Sequence, residues 1–474
     1  MLVSGYHLGI EDQGIYLPAI KKLLQPSLYP HDSQFFLPQA TATLFPQLIA
    51  GSVRWTGSSL ELTVFLWQVL AVFLTLVGCF RLSSKVFASP QARWAAVLAV
   101  AIMLTLPAAS TALFLVDPYL HPRNLAAPAL LFMLVDVIER RWLLALMWVV
   151  VAAALHVQMA FYGVLLAVVL LLPEQWLVLG KKNEPQMTVP LLLMLPLRSL
   201  FEPGTPAWRE AARTREFHYL TQWPWYGWAG AILPLVALLW FSRIARRDQL
   251  TQLQKLSSRL ALFGFAVLAA SVLITLPSRW ERLTPYQPMR AFHLLYIVFV
   301  LIAGGVLGEF VLRHSIWRWL AVFLPLSATM FCAQRLAFPG SSHLEWPDSA
   351  VQNPWLRAFA WSKANTPVVA YFALEPRYLE EPGEDTYGFR AFAERSMMAD
   401  YRKDSGVALL FPAIAEDWQR ELHARDGWHD FQLADFQRLH RDFGVDWVLL
   451  EPGHAAAGLD CRFQDQGVRV CHIP

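Results

Sequence analysis

At 474 residues, 56% hydrophobic and only 16% charged, with a mean hydropathy of +0.38, the chain carries more apolar surface than one soluble core can hide. Its formal net charge of +3 conceals a split: residues 1–334 hold 25 Lys and Arg against 15 Asp and Glu, and the remainder holds 14 against 21. No Gly-rich phosphate fingerprint, Gly-Lys-Ser/Thr loop, His-Glu-x-x-His pair or Cys-x-x-Cys site occurs, so nucleotide-driven transport is not expected.

Residues 1–59 read as a polar-decorated loop, beginning Gly5-Tyr-His-Leu-Gly-Ile-Glu11-Asp12-Gln-Gly and continuing through His31-Asp32 into an aromatic stretch. They hold no positively charged start followed by an apolar run, so no signal peptide is expected to export them. Two accounts stand: a further hydrophobic helix precedes them, with Met1 to Ser4 as its last turn, or the next span drives export. From residue 60 to 334 the chain reads as a transmembrane helical bundle. Spans are expected at 60–80, 94–116, 123–138, 142–157, 159–179, 187–200, 226–242, 259–277, 291–312 and 316–334, because a bilayer core of about 30 Å needs about 20 mostly apolar residues per helix. The run at 187–200 is the weakest, short and interrupted by Pro190 and Pro196. Trp94, Trp142, Trp225, Trp228, Trp317 and Trp319 sit at span ends, as an aromatic belt requires.

Alternate connectors collect Lys and Arg. One set holds fourteen in five connectors, including Arg81, Lys85, Arg93, Lys181, Lys182 and the 243–259 stretch, against eight in four on the other side. The richer side is expected to be cytoplasmic, and attraction to anionic lipid accounts for 243–259 without nucleic acid. Counting crossings then places residues 1–59 and the acidic tail 335–474 outside the cytoplasm. The tail reads as a small α/β domain, with helices near 355–364, 412–424 and 433–442 and strands near 368–373, 445–450 and 468–473. Cys79 and Cys332 fall in spans as small apolar residues, whereas Cys461 and Cys471 flank a turn and are either a disulfide or two thiols.

Polar chemistry concentrates on the outer side. Glu11 and Asp12 are either a reactive acid pair or ordinary caps of a helix starting near Gly14. Asp117-Pro-Tyr-Leu-His121-Pro-Arg123-Asn124 gathers a carboxylate, an imidazole and a guanidinium. It is either a ligand set for a divalent cation or a Pro-rich turn with Asp117 and Arg123 paired. Arg290 and His293 share a helix face at an expected membrane boundary, where they bind a substrate phosphate or snorkel to ordinary lipid. His156 reads as a core histidine. The loop 201–225, with Arg209, Glu210, Arg213, Arg215, Glu216 and His218 before Trp223 and Trp225, reads as an interfacial helix.

The acid-bearing first loop and the acid/His turn resemble the GT-C superfamily of polytopic glycosyltransferases, and more closely a bacterial membrane family sharing that architecture. The resemblance covers most of the chain in architecture and only short motifs in sequence. It implies a mainly α transmembrane bundle of about ten spans with a long first external loop and an extracytoplasmic α/β domain. It also implies transfer of a sugar from a polyprenyl-phosphate carrier at the outer face of the plasma membrane. By that resemblance Asp12, then Glu11, then Asp32 would be the general base; Arg290, His293, Arg123 and His31 would contact substrate; and Asp117 with His121 would hold Mg or Mn. Here the three residues between Asp117 and His121 depart from the one-residue spacing of the metal-using members. The competing class is a non-enzymatic membrane protein, a transporter or assembly scaffold, although the polar clusters lie on one face rather than mid-membrane.

Overall fold

The computed structural model describes residues 1–173, 203–276, 278–347, 353–455 and 457–474. It is mainly helical. Among the described residues five helices are long and apolar enough to cross a membrane: Leu60–Val86, Trp225–Arg247, Thr251–Thr275, Trp280–Leu312 and Ile316–Ala337. Three further apolar helices, Pro122–Ile138, Trp142–Leu155 and Val157–Leu171, fall short of that length. The expected span at 187–200 and the end of 159–179 lie outside the described residues.

One expected span differs for a backbone reason, and one expected boundary is met. The helix Pro90–Ile102 stops where Met103 leaves helical geometry, and residues 103–121 fold back as a loop closed by a bridge between Pro107 and Phe114. His156 adopts an extended conformation (φ −157°, ψ 90°), which separates two short helices within two residues of the boundary expected between 142–157 and 159–179. Hydropathy counts residues and misses the fold-back after Met103.

Trp280–Leu312 is the hub, with 67% of its most apolar window buried, whereas Ile316–Ala337 is peripheral at 11%. Small residues let the hub approach its neighbour. A Cβ at Gly304 would stand 2.6 Å from the Ala99 Cβ, and one at Gly308 2.7 Å from the Ala92 Cα. This Gly-x-x-x-Gly seam against an Ala-rich face suits helix association in lipid, where contact rather than water exclusion supplies the attraction.

The first 59 residues form the helices Gln13–Leu24, Leu37–Thr41 and Phe45–Thr56. Their apolar faces share a core with Val64 and Ala71 of the first long helix, Leu120 and Leu125 beside the Pro-rich turn, and Ala391 and Val407 of the tail. The opening strand-like segment is sewn to the tail by bridges Tyr6 to Leu344 and Ile10 to Tyr387. It therefore sits wedged between bundle and C-terminal domain.

That domain is built on a five-stranded sheet: β1 (Tyr371–Ala373), β2 (Ser396–Met397), β3 (Trp447–Leu450), β4 (Asp460–Asp465) and β5 (Val468–His472), ordered β2-β1-β3-β5-β4. β2, β1 and β3 run parallel, and β3, β5 and β4 antiparallel. Helices Pro354–Asn365, Ala415–His423 and Leu433–Phe443 agree with the pattern read from sequence. β2 and β4 do not: one has two residues, and the other is polar and largely exposed. Cys461 and Cys471 face each other across the β4–β5 hairpin and form a disulfide.

Candidate functional site

Asp12 occupies the N-cap position of Gln13–Leu24 but makes no side-chain cap. Gln13 turns instead to its surroundings, accepting from the Gly9 amide and donating to the Leu120 carbonyl at 3.0 Å. The preceding Glu11 is held at φ +50°, a left-handed conformation that costs a non-glycine residue on the order of 1 kcal/mol or more. The backbone bond from Glu11 to the Thr386 carbonyl helps enforce it. Both carboxylates are thereby freed from helix capping and turned to side-chain partners, so the capping account does not hold for Asp12.

One partner of Asp12 is His121, N-cap of Pro122–Ile138. Its Nδ1 accepts the Arg123 amide at 3.1 Å, so the neutral ring carries its proton on Nε2, which faces Asp12 Oδ2 at 3.3 Å. Burial, then the neighbouring Arg123, lowers the His121 pKa, which keeps that neutral tautomer. Tyr16 packs edge-on to the imidazole at 5.2 Å. Below the ring, Arg123 donates to Asp117 at 2.6 Å, with both side chains buried. Asn124 accepts the Asp117 amide and donates to the Asp117 and Tyr119 carbonyls and to Gln68, whose own amide donates to the Asp117 carbonyl. The Pro-rich turn is thus a locked platform for His121.

The other partners come from the tail. Lys403 Nζ bonds both Glu11 and Asp12, the latter at 3.2 Å, and Arg402 pairs with Glu11 at 2.9 Å. Burial opposes ionisation of Asp12, yet Lys403, His121 and Arg123 outweigh it and hold the carboxyl well below the usual range. Glu11 is likewise lowered, burial being overcome by Lys403 and Arg402. Both are carboxylates at neutral pH.

Two more cations approach. Arg215 and Arg290 each lie within electrostatic range of Asp12 and of one another. Neither has a carboxylate within ion-pair distance among the described residues. Arg290 bonds the side chains of Gln287 and Gln158, and Arg215 the Lys403 carbonyl at 3.3 Å, leaving its buried Nε unpartnered. Arg290 and His218 line one small cavity with Thr111, Thr284 and Gln287. His218, its Nδ1 also unpartnered, is kept neutral by burial and by the adjacent Arg290 and Arg215.

The remaining expected residues divide. His293 is buried and gives Nε2 to the Leu115 carbonyl, anchoring the 103–121 loop. Asp32 and His31 stand against β1: Asp32 accepts the Tyr371 hydroxyl and His31 stacks on the Tyr371 ring at 5.0 Å. They join loop to domain. The donor set does not suit a divalent cation. Asp117 is spent on Arg123, both His121 nitrogens are engaged, and among the described residues no three His, Cys, Asp or Glu side chains gather as ligands.

Lys403 and Arg402 were not anticipated. They are an adjacent basic pair in an otherwise acidic domain, which is the one signal the chain offers for them. Comparison with known protein families and with curated proteins finds no match.

Proposed function

We propose that this chain is a membrane glycosyltransferase of GT-C type, moving a sugar from a polyprenyl-phosphate carrier to an acceptor outside the cytoplasm. Its C-terminal domain lies on that outer side of the plasma membrane. One observation carries the reading: an ionised Asp12, released from helix capping and oriented on His121, lies within electrostatic range of Arg215 and Arg290, which have no carboxylate partner among the described residues.

In the transfer, the acceptor oxygen attacks the anomeric carbon, the carbon–oxygen bond to the lipid phosphate breaks, and the electron pair stays on the phosphate. Asp12 takes the hydroxyl proton, and the forked guanidinium groups meet the charge that grows on the leaving phosphate. His121 holds the carboxylate in aim. The reading as a non-enzymatic scaffold draws on one feature, that Lys403 already occupies both acids in this state.

The test is transfer from a lipid-phosphate sugar by the full chain in lipid discs. Asp12→Asn and Arg290→Ala should each reduce turnover by 100-fold or more, Asp12→Asn with a lower melt as well because it gives up the charge pairing with Lys403, while Asp32→Ala should melt lower with turnover retained because it loses the β1 contact. Full activity in both Asp12→Asn and Arg290→Ala removes the site. Accessibility of a cysteine placed at exposed Val369 to an impermeant thiol reagent in intact cells tests the orientation.

A further inference from the structure

The backbone of Lys403 is fixed by its own turn, independently of its amine. Asp400 accepts the Lys403 and Asp404 amides, and Asp404 forms a two-pronged pair with buried Arg390, both bonds 2.9 Å. The turn 400–404 is therefore held from both sides. Beyond it the Lys403 side chain is a four-carbon arm ending in a compact charge, 7% exposed, whose partners are Glu11 and Asp12. Arg215 rests on this turn: it donates to the Lys403 carbonyl and packs on Gly406, where any Cβ would collide with the guanidinium. The domain that delivers the amine thus also seats Arg215, which like Arg290 has no carboxylate partner among the described residues.

We infer that Lys403 is a transferable counter-ion: it clasps Glu11 and Asp12 in the empty site and swings to a phosphate held by Arg215 and Arg290, which frees Asp12. The argument rests on the proposed reading only for the choice of phosphate as the incoming anion. A carboxylate hydrogen-bonded by an ammonium group is a poor proton acceptor, because the proton must displace a charge-assisted bond. A phosphate anion flanked by two guanidinium groups competes for the same ammonium. Charge separation is never left uncompensated during the exchange, and the hinge is the lysine side chain alone. In this account Lys403 is a positioning residue whose location reports whether the anion site is filled.

Zero-length carbodiimide coupling reads the contact directly, since it joins an amine only to a carboxyl group it touches. In the full-length protein in lipid discs, peptide mapping should find Lys403 joined to Glu11 or Asp12. Millimolar inorganic phosphate should lower that yield at least fivefold, whereas chloride at matched ionic strength should not. In the Arg215→Met/Arg290→Met double variant the crosslink should persist in phosphate, which also controls for quenching of the reagent. Absence of the crosslink overturns the clasp; a crosslink indifferent to phosphate overturns the exchange; equal loss in the double variant overturns the assigned anion site. Lys403→Arg, which keeps charge but not the coupling amine, should give no crosslink and confirm the peptide assignment; persistence of the mapped product there overturns it. None of these readouts requires sugar transfer, so an intact clasp in an inactive protein and a failed clasp in an active one are separate results.

Discussion

At the scale of single residues, His121 does two jobs with two nitrogens. Nδ1 caps a helix and Nε2 orients Asp12, so the jobs can be pulled apart. His121→Ala loses both and should cost about 1 kcal/mol of stability, the usual worth of an N-cap. His121→Asn keeps a good cap but is too short to reach the carboxylate. It should melt within about 0.5 kcal/mol of the native chain and still transfer sugar at a small fraction of the native rate. Thermal melts and turnover on both variants check this; an active Asn variant would mean that Asp12 needs no orienting donor. The acids were legible in the sequence because carboxylates are conspicuous in so apolar a chain. Lys403 and Arg215 were not, since they reach Asp12 from 391 and 203 positions away and one sits in a domain whose net charge has the opposite sign.

At the scale of elements, the bundle depends on close approach of the hub to Pro90–Ile102. Gly308→Leu places a branched side chain against the Ala92 and Ala95 atoms, which stand 2.7 Å from a bare Cβ. Overpacking of this kind costs about 1–3 kcal/mol, so the variant should melt lower in detergent. Exposed Gly51, with open space around it, should accept Ala without loss. The long apolar helices were readable from hydropathy, whereas the spacing of Cys461 and Cys471 left open the choice between a disulfide and two thiols that the hairpin register decides. The break at His156 was readable to within two residues, but the fold-back after Met103 was not, because it depends on local backbone geometry that composition does not encode. The two-residue β2 strand is too short to carry a period at all.

At the scale of the whole molecule, the C-terminal domain is fastened to the rest by charge. Glu11 pairs with Lys403 and Arg402, Asp12 with Lys403, and Glu394 bridges Lys21 of the first loop helix and Lys363. For all three acids burial is outweighed by the cations, and each folded-state pKa lies below its ordinary value. A depressed acid stabilises docking above its ordinary pKa and loses that contribution as pH falls through the folded value. Docking should therefore be constant from neutral pH down to the ordinary carboxylate range and weaken below about pH 4. Calorimetry should then show the domain melting separately from the bundle at pH 3, with one shared transition at pH 7. A single transition at both would place the fastening in apolar contact alone.

The bridges from Tyr6 to Leu344 and from Ile10 to Tyr387 set a timetable for biosynthesis. A ribosome releases the acid-bearing segment hundreds of codons before its partners exist, so Glu11 and Asp12 must wait, unpaired, while the helices thread into lipid. The cluster around Asp12 is completed only by the C-terminal domain, the last part of the chain to emerge, and a nascent protein stalled before that domain carries every long apolar helix described here yet lacks Arg402 and Lys403.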